Sequence, residues 1–287
     1  MKKFIITLFM LIFMTPCIYA KEMINVAINI DNKYTTYALL TFNSILKNNK
    51  SNSDYTFYVL NDGLSLWNKL RMRLFIAKHK QKIEFIKVDI PKLFSDEGDI
   101  FKHNWTPHVS DIGIARIFIP EVLPKTTHKC IYLDCDTLVL ADLKELWDTD
   151  ISDFAVGMCK DPNSDHIITQ MKPELETYYN SGVILMNLDY MRKINATKKM
   201  FDYVKYGILH YIDQDALNII CTDKEIYLPS MYNFINNVTL EVVNNSLTKI
   251  YHYAGPKEYW LADRFYAEEW YDSEEIFYND IVKNSDN

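Results

Sequence analysis

The sequence predicts an α/β domain built on a largely parallel sheet. Three features carry that expectation. Strand and helix patterns alternate through the first half of the chain. The helical stretches between strands run about 10 to 15 residues, the length of a crossover joining parallel neighbours. Three of the segments that read as strands run into Asp or Asn, at the rim where such sheets meet ligands.

Ile24–Ile30 reads as the first strand. Tyr34–Lys47 sets Tyr34, Tyr37, Thr41 and Ile45 near one helical face. Tyr55–Leu60 is a second strand, closed by the turn signal Asn61-Asp62-Gly63. Leu64–Lys78 reads as a helix, and Lys82–Val88, with its period of two, as a third strand. Asp111–Pro120 is expected to be helical, Lys129–Leu133 a fourth strand and Leu138–Leu140 a short one after it. Phe154–Cys159, Gly182–Asn187 and Lys249–Tyr253 read as later strands, Asp189–Tyr206 and Asp213–Ile220 as helices. No repeat and no Pro/Gly/Ser-rich linker divides the chain, so a single domain is expected, its second half forming one side of a cleft.

Apolar residues make up 48% of the 287, enough for a sizeable core. A net charge of −7 argues against a general nucleic-acid binder, which would present a basic face. An anionic small molecule remains compatible, because a bound cation and a few basic residues can hold it locally. Residues 1–20 read as a signal peptide: Lys2-Lys3, an apolar run from Phe4 to Met14, then Ala20 at a cleavage point. Cleavage implies a periplasmic or secreted protein; without it the same segment is a membrane anchor. Cys130, Cys135, Cys159 and Cys221 lack metal-ligand spacing, and most read as core thiols.

The chemistry concentrates at the strand ends. Asp31, Asn61-Asp62 and Asp134-Cys135-Asp136 are expected to converge as a cation site. Carboxylates at i and i+2 of an extended segment share a face. Mg²⁺ and Mn²⁺ take one or two such carboxylates and fill their remaining positions with phosphate oxygens. His252, on the late strand, can complete the site as a neutral imidazole. Gly255 permits close backbone approach to a phosphate, and Lys257 can meet it. Gln214 lies in Asp213-Gln214-Asp215 at a helix start, where an Asp can cap. Its amide can donate and accept toward a sugar. Asn180-Ser181-Gly182 is read as lying just before a strand, a place suited to sugar hydroxyls. Arg116 shares a helix face with Ile112, Ala115 and Ile119; once buried it needs a phosphate or an active-site carboxylate as partner.

Together these stretches resemble glycosyltransferase family 8, the retaining transferases that include bacterial lipopolysaccharide glucosyl- and galactosyltransferases and glycogenin. The resemblance runs from Ile24 to Trp260. It rests on Ile28–Tyr34, Ala115–Pro124, Tyr132–Asp136, Leu146–Asp148, Tyr179–Val183, Asp213–Asn218 and His252–Gly255. It implies a single Rossmann-like nucleotide-binding domain of GT-A type with C-terminal extensions, here residues 21–262, followed by an acidic, aromatic tail at 263–287. It implies retaining transfer of glucose or galactose from a UDP-sugar to a glycan or lipopolysaccharide-type acceptor, with Mn²⁺ or Mg²⁺. Asp31 and Tyr34 would hold the uracil base, and Asp134, Asp136 and His252 the metal. Arg116, Asn180 and Asp213 would line the donor sugar and diphosphate. Gln214 matches the residue beneath the anomeric carbon.

Two departures stand out. The family's late signature ends in Lys-Pro-Trp, whereas this chain reads Gly255-Pro-Lys-Glu-Tyr-Trp260, with Glu258 where the lysine is expected. An acid facing a diphosphate is unfavourable, so the loop must shift or hold the diphosphate less firmly. The tail from Asp263 to Asp280 is aromatic but acidic, which argues against its docking to an anionic membrane. With the leader, the altered loop supports a second reading, an exported non-catalytic nucleotide-sugar or sugar-binding protein derived from this family. A nucleotidyltransferase is disfavoured, since there is no glycine-rich phosphate loop and the chain has 7 glycines.

Overall fold

The computed structural model describes residues 22–89, 111–206, 209–235 and 247–254. The leader, the loop from Gly255 through Lys257 and Glu258, and the tail lie outside the described residues. The chain begins with β1 (Met23–Ile30), α1 (Thr35–Lys47), β2 (Asp54–Asn61), α2 (Leu66–Lys78) and β3 (Lys82–Lys87). A 3-10 helix (Asp111–Phe118) runs into the single turn α3 (Ile119–Val122). Next come β4 (Lys129–Leu133), β5 (Thr137–Val139), α4 (Lys144–Trp147), β6 (Val156–Lys160), α5 (Ser164–Gln170) and β7 (Tyr179–Asn187). Then follow α6 (Leu188–Lys193), α7 (Ala196–Tyr206), α8 (Ile212–Cys221), β8 (Glu225–Leu228), β9 (Phe234–Ile235) and β10 (Ile250–His252).

Seven strands form one sheet in the order β3-β2-β1-β4-β7-β6-β8. β7 alone runs against the rest, pairing antiparallel with β4 and β6, while every other neighbour is parallel. A smaller sheet, β5-β10-β9, sits at the end of β4. The central strands alternate between two cores. Val26, Ile28, Phe57, Val59, Ile131, Leu133, Val183 and Leu185 face the core under α1 and α2. Ala27, Tyr58, Leu60, Cys130, Tyr132, Ile184 and Met186 face the core under the 3-10 helix and α6 to α8. The result is a sheet covered on both sides, which is why these strands read as nearly continuous apolar runs.

Two expected helices differ. Asp111–Pro120 is mostly 3-10, not α. Its β-branched isoleucines and Gly113 are weak α-helix formers, and the tighter winding sets Ile114 and Ile117 on one face. The long Asp189–Tyr206 helix is broken in two at Asn195, whose φ is 54°. Asparagine tolerates this left-handed conformation, so the sequence permits the break without announcing it. Asn195→Gly should be close to neutral, whereas Asn195→Val should destabilise by roughly 1–3 kcal/mol in urea denaturation.

Candidate active site

β4 ends at Leu133, and Asp134-Cys135-Asp136 turns the chain into β5. The two carboxylates therefore meet through a turn, not through the alternation of an extended segment. The turn is braced from α1: Thr41 Oγ1 lies 3.1 Å from the Cys135 carbonyl and 2.9 Å from that of Thr137. Thr137 Oγ1 donates to the Asp134 carbonyl at 2.7 Å. β10 pairs with β5 and sets His252 opposite Thr137. Ligand atoms of Asp134, Asp136 and His252 all lie within 4.8 Å of one another. His252 Nε2 is 3.4 Å from Asp136 Oδ1 and 3.7 Å from Asp134 Oδ2.

Hydrogen-bond polarity fixes how the imidazole is presented. The Gly182 N–H can only donate, and it donates to Asn180 Oδ1 at 2.9 Å. Asn233 Nδ2 donates to that same oxygen at 2.8 Å. Asn233 therefore turns its own Oδ1 to His252 Nδ1, 2.9 Å away, which must carry a proton. In the neutral ring this leaves the Nε2 lone pair facing the two carboxylates, the orientation a metal-bound histidine takes. Gly182 also makes room for the ring: a Cβ there would lie 2.1 Å from His252 Cε1. Two carboxylates and an oriented imidazole nitrogen fit a divalent cation. In its absence, burial opposes charging the ring, but Asp136, by charge and hydrogen bond, and Asp134 outweigh it and raise the His252 pKa. For Asp136, burial pushes upward, yet the His252 charge and hydrogen bond, with its other contacts, hold it below its usual value.

Arg116 lies beneath this cluster and is 8% exposed. Its Nη2 is 3.0 Å from Asp134 Oδ1, and its Nε 2.8 Å from Asp213 Oδ2. The Nε contact with Asp213 is an ion pair off the hydrogen-bond line; the Nε–H itself donates to the Gly113 carbonyl at 3.3 Å. Nη1 donates to Ser181 O and Oγ at 2.8 and 3.0 Å, and the guanidinium carbon stands 4.7 Å from the Tyr132 ring centre. Burial raises the Asp213 carboxyl to about 6 against the opposing pull of Arg116. Burial also raises Asp134, with Asp136 adding to it and Arg116 opposing.

The structure joins most of the expected residues and corrects several details. Asn180 and Ser181 lie inside β7, not before it, and Gly182 is within the strand rather than at its start; because β7 is antiparallel, its beginning reaches the rim where its neighbours end. Asp213 does not cap α8 but faces Arg116. Asp215 instead accepts from the backbone of His210 and Tyr211, at 2.7 and 3.2 Å, and pairs with buried Lys172. Gln214 is gripped on both sides of its amide. Ser181 N donates to its Oε1 at 2.9 Å, and its Nε2 donates to Asp161 Oδ2 at 3.4 Å. Asp31 follows β1 on the same rim, but its Oδ1 accepts from Lys33 N and Tyr34 N, at 2.8 and 3.1 Å, tying the start of α1. Asp62 is exposed. Among the described residues, then, the metal-capable group is Asp134, Asp136 and His252, without Asp31 or Asp62. Gly255 and Lys257 lie outside the described residues.

Asn233 and Asp161 also belong to the site, and neither stands in a motif. Asp161 follows β6, which runs parallel to β4's direction, so the strand-end rule that picked out Asp31 reaches it too. Asn233, after a 3-10 turn, carries no such signal.

This fold, with a metal-capable Asp-x-Asp turn after a central strand, is of the GT-A type. The chain belongs to glycosyl transferase family 8, whose model matches residues 25–264. It is similar to General stress protein A of Bacillus subtilis, 28% identical over 77% of each chain. It is also similar to lipopolysaccharide 1,2-glucosyltransferase of Escherichia coli K12, 23% identical over 85% of this chain and 74% of that one. The crystal structure of galactosyltransferase LgtC in complex with donor and acceptor sugar analogs shares the fold: TM-score 0.72, 24% identity, covering 88% of this chain and 95% of that one.

Removing Arg116 leaves two carboxylates without their countercharge. Arg116→Met should cost about 3–5 kcal/mol at pH 7. With Arg116 in place the Asp213 carboxyl is raised to about 6, and without that opposing charge it binds its proton more tightly still, so acidification neutralises it and favours the folded variant more than the folded wild type. The deficit should therefore shrink at pH 5, measured by urea denaturation in the presence of chelator. Gly182→Ala should displace the His252 ring, and Asn233→Ala should free it to rotate. Each should weaken divalent-cation binding by roughly 10–100-fold in calorimetric titration, with Asn233→Asp, which keeps the acceptor for Nδ1, intermediate.

Proposed function

We propose that this chain moves glucose or galactose from a UDP-sugar to a glycan or lipopolysaccharide-type acceptor with retention, using Mn²⁺ or, in its place, Mg²⁺. The observation that carries this reading is the gathering of Asp134, Asp136, His252, Arg116, Asp213 and Gln214 at one rim of the sheet. The sugar analogs held by LgtC and the activity named for the E. coli relative support it. Asp31 and Tyr34 hold the base, and Asp134, Asp136 and His252 hold the cation, which supplies positive charge to the departing diphosphate. Asn180 and Asp213 line the sugar. Gln214, locked by Ser181 and Asp161, meets the positive charge that develops at the anomeric carbon with a dipole already in place. The C1–O bond to the diphosphate breaks and its electron pair leaves with UDP. An acceptor hydroxyl oxygen bonds to C1 from the same face, and its proton passes to the diphosphate. Gly255 and Lys257 are assigned to the diphosphate on family resemblance.

The test is UDP release by purified protein with Mn²⁺ and a panel of UDP-sugars and glycan acceptors. Asp134→Ala with Asp136→Ala should lose about a thousandfold in rate, as should chelation, with Mn²⁺ restoring only the chelated wild type. A wild type no faster than the double variant sinks the catalytic reading.

A further inference from the structure

The helix α2 wears apolar side chains on the side that faces away from the core. Its buried residues are Met72, Phe75 and Ile76. At 3.6 residues per turn, Leu66, Trp67, Leu70 and Leu74 fall on the opposite side as one stripe. They are 86%, 67%, 45% and 63% exposed, and they are half of the large apolar side chains left exposed among the described residues. Lys69 and Arg73 border the stripe on one side, with Lys69 Nζ 5.9 Å and the Arg73 guanidinium carbon 5.1 Å from the Phe85 ring centre; Arg71 and Lys78 border it on the other. From Ser65 to Lys82 the chain has no acidic residue, although its net charge is −7.

We propose that α2 is a docking surface for an anionic phospholipid bilayer, along which the helix lies flat. The leucines and Trp67 enter the boundary between headgroups and acyl chains, and the basic borders meet the lipid phosphates. Charge complementarity selects this occupant. In a second copy packed through the same face, the basic borders of one helix would meet those of the other, like charge against like. No helix among the described residues is long and apolar enough to cross a membrane, so the contact through α2 is peripheral. The first turn of α2 is tied to the donor rim: Ser65 N and Asn68 Nδ2 donate to Asn32 Oδ1 at 2.8 and 3.0 Å. Docking therefore brings the loop after β1 toward the lipid surface. The proposal does not depend on the donor or on turnover.

The test is co-sedimentation of the full chain with vesicles of phosphatidylglycerol and phosphatidylethanolamine, against phosphatidylcholine vesicles. Binding should be confined to the anionic vesicles and weaken with added salt. Leu70→Glu with Leu74→Glu should reduce partitioning by roughly tenfold or more, and Arg71→Gln with Lys78→Gln by several-fold, with thermal unfolding unchanged. Three results would overturn the proposal: binding that the leucine substitutions leave intact, no binding by the wild type, or a wild-type dimer in solution that these substitutions dissolve. Faster proteolysis between residues 255 and 287 in the leucine variant would also overturn it, by assigning the face to the chain's own acidic tail.

Discussion

The site depends on one buried cation. Asp134, Asp136 and Asp213 stand close together at the end of the central strands, and each pays a burial penalty. Arg116 touches two of them, stacks on Tyr132 and hands its remaining donors to Ser181 and Gly113. A guanidinium suits the position because its planar fork reaches several acceptors at once; an ammonium cannot span them. The same residue therefore links the β4 turn, the start of α8 and the beginning of β7.

From Arg116 a circuit of hydrogen bonds runs around the rim. Ser181 holds Gln214, Gln214 reaches Asp161, Asp161 takes the Asn180 amide, and Asn180 accepts from Asn233, which orients His252. Asn180 and Gln214 have their direction set by backbone N–H groups that can only donate, and Asn233 takes its direction from Asn180 in turn. Such a network is costly when one member is missing, because the groups left behind are buried. It also explains why Gln214, expected to be free to meet a sugar, is held by protein on both sides: its orientation is decided before any ligand arrives.

β1, β2 and β4 were legible because burial on both faces makes them nearly continuous apolar runs, and β3 by its period of two; the bounds of β4 match to the residue. The helix break at Asn195 was hidden because asparagine fits helix and left-handed turn alike. The start of β7 was missed for a different reason. Asn180 and Ser181 carry turn-like side chains, and only pairing with β4 and β6 makes them strand. Site residues at parallel strand ends, such as Asp134, follow a positional rule. Asn180 and Gly182 come from a strand running the other way, and Asn233 from an irregular segment; neither direction nor long-range contact is written in local pattern.

Gly182 shows how an absent side chain can position a functional one. The large sheet ends at the β4–β7 pair, where Asp134 N donates to the Gly182 carbonyl at 2.8 Å. The small sheet brings His252 down onto that seam through β10. The imidazole occupies the space where any Cβ at residue 182 would project. The glycine is thus required by volume, not by an unusual φ: its backbone is absent from the positive-φ set that includes Gly63. Closing the gap with a methyl group would push the ring away from both carboxylates and break its bond to Asn233 in the same movement. The approach of two separate sheets, and with it the meeting of Asp134, Asp136 and His252, is therefore set by the smallest residue between them.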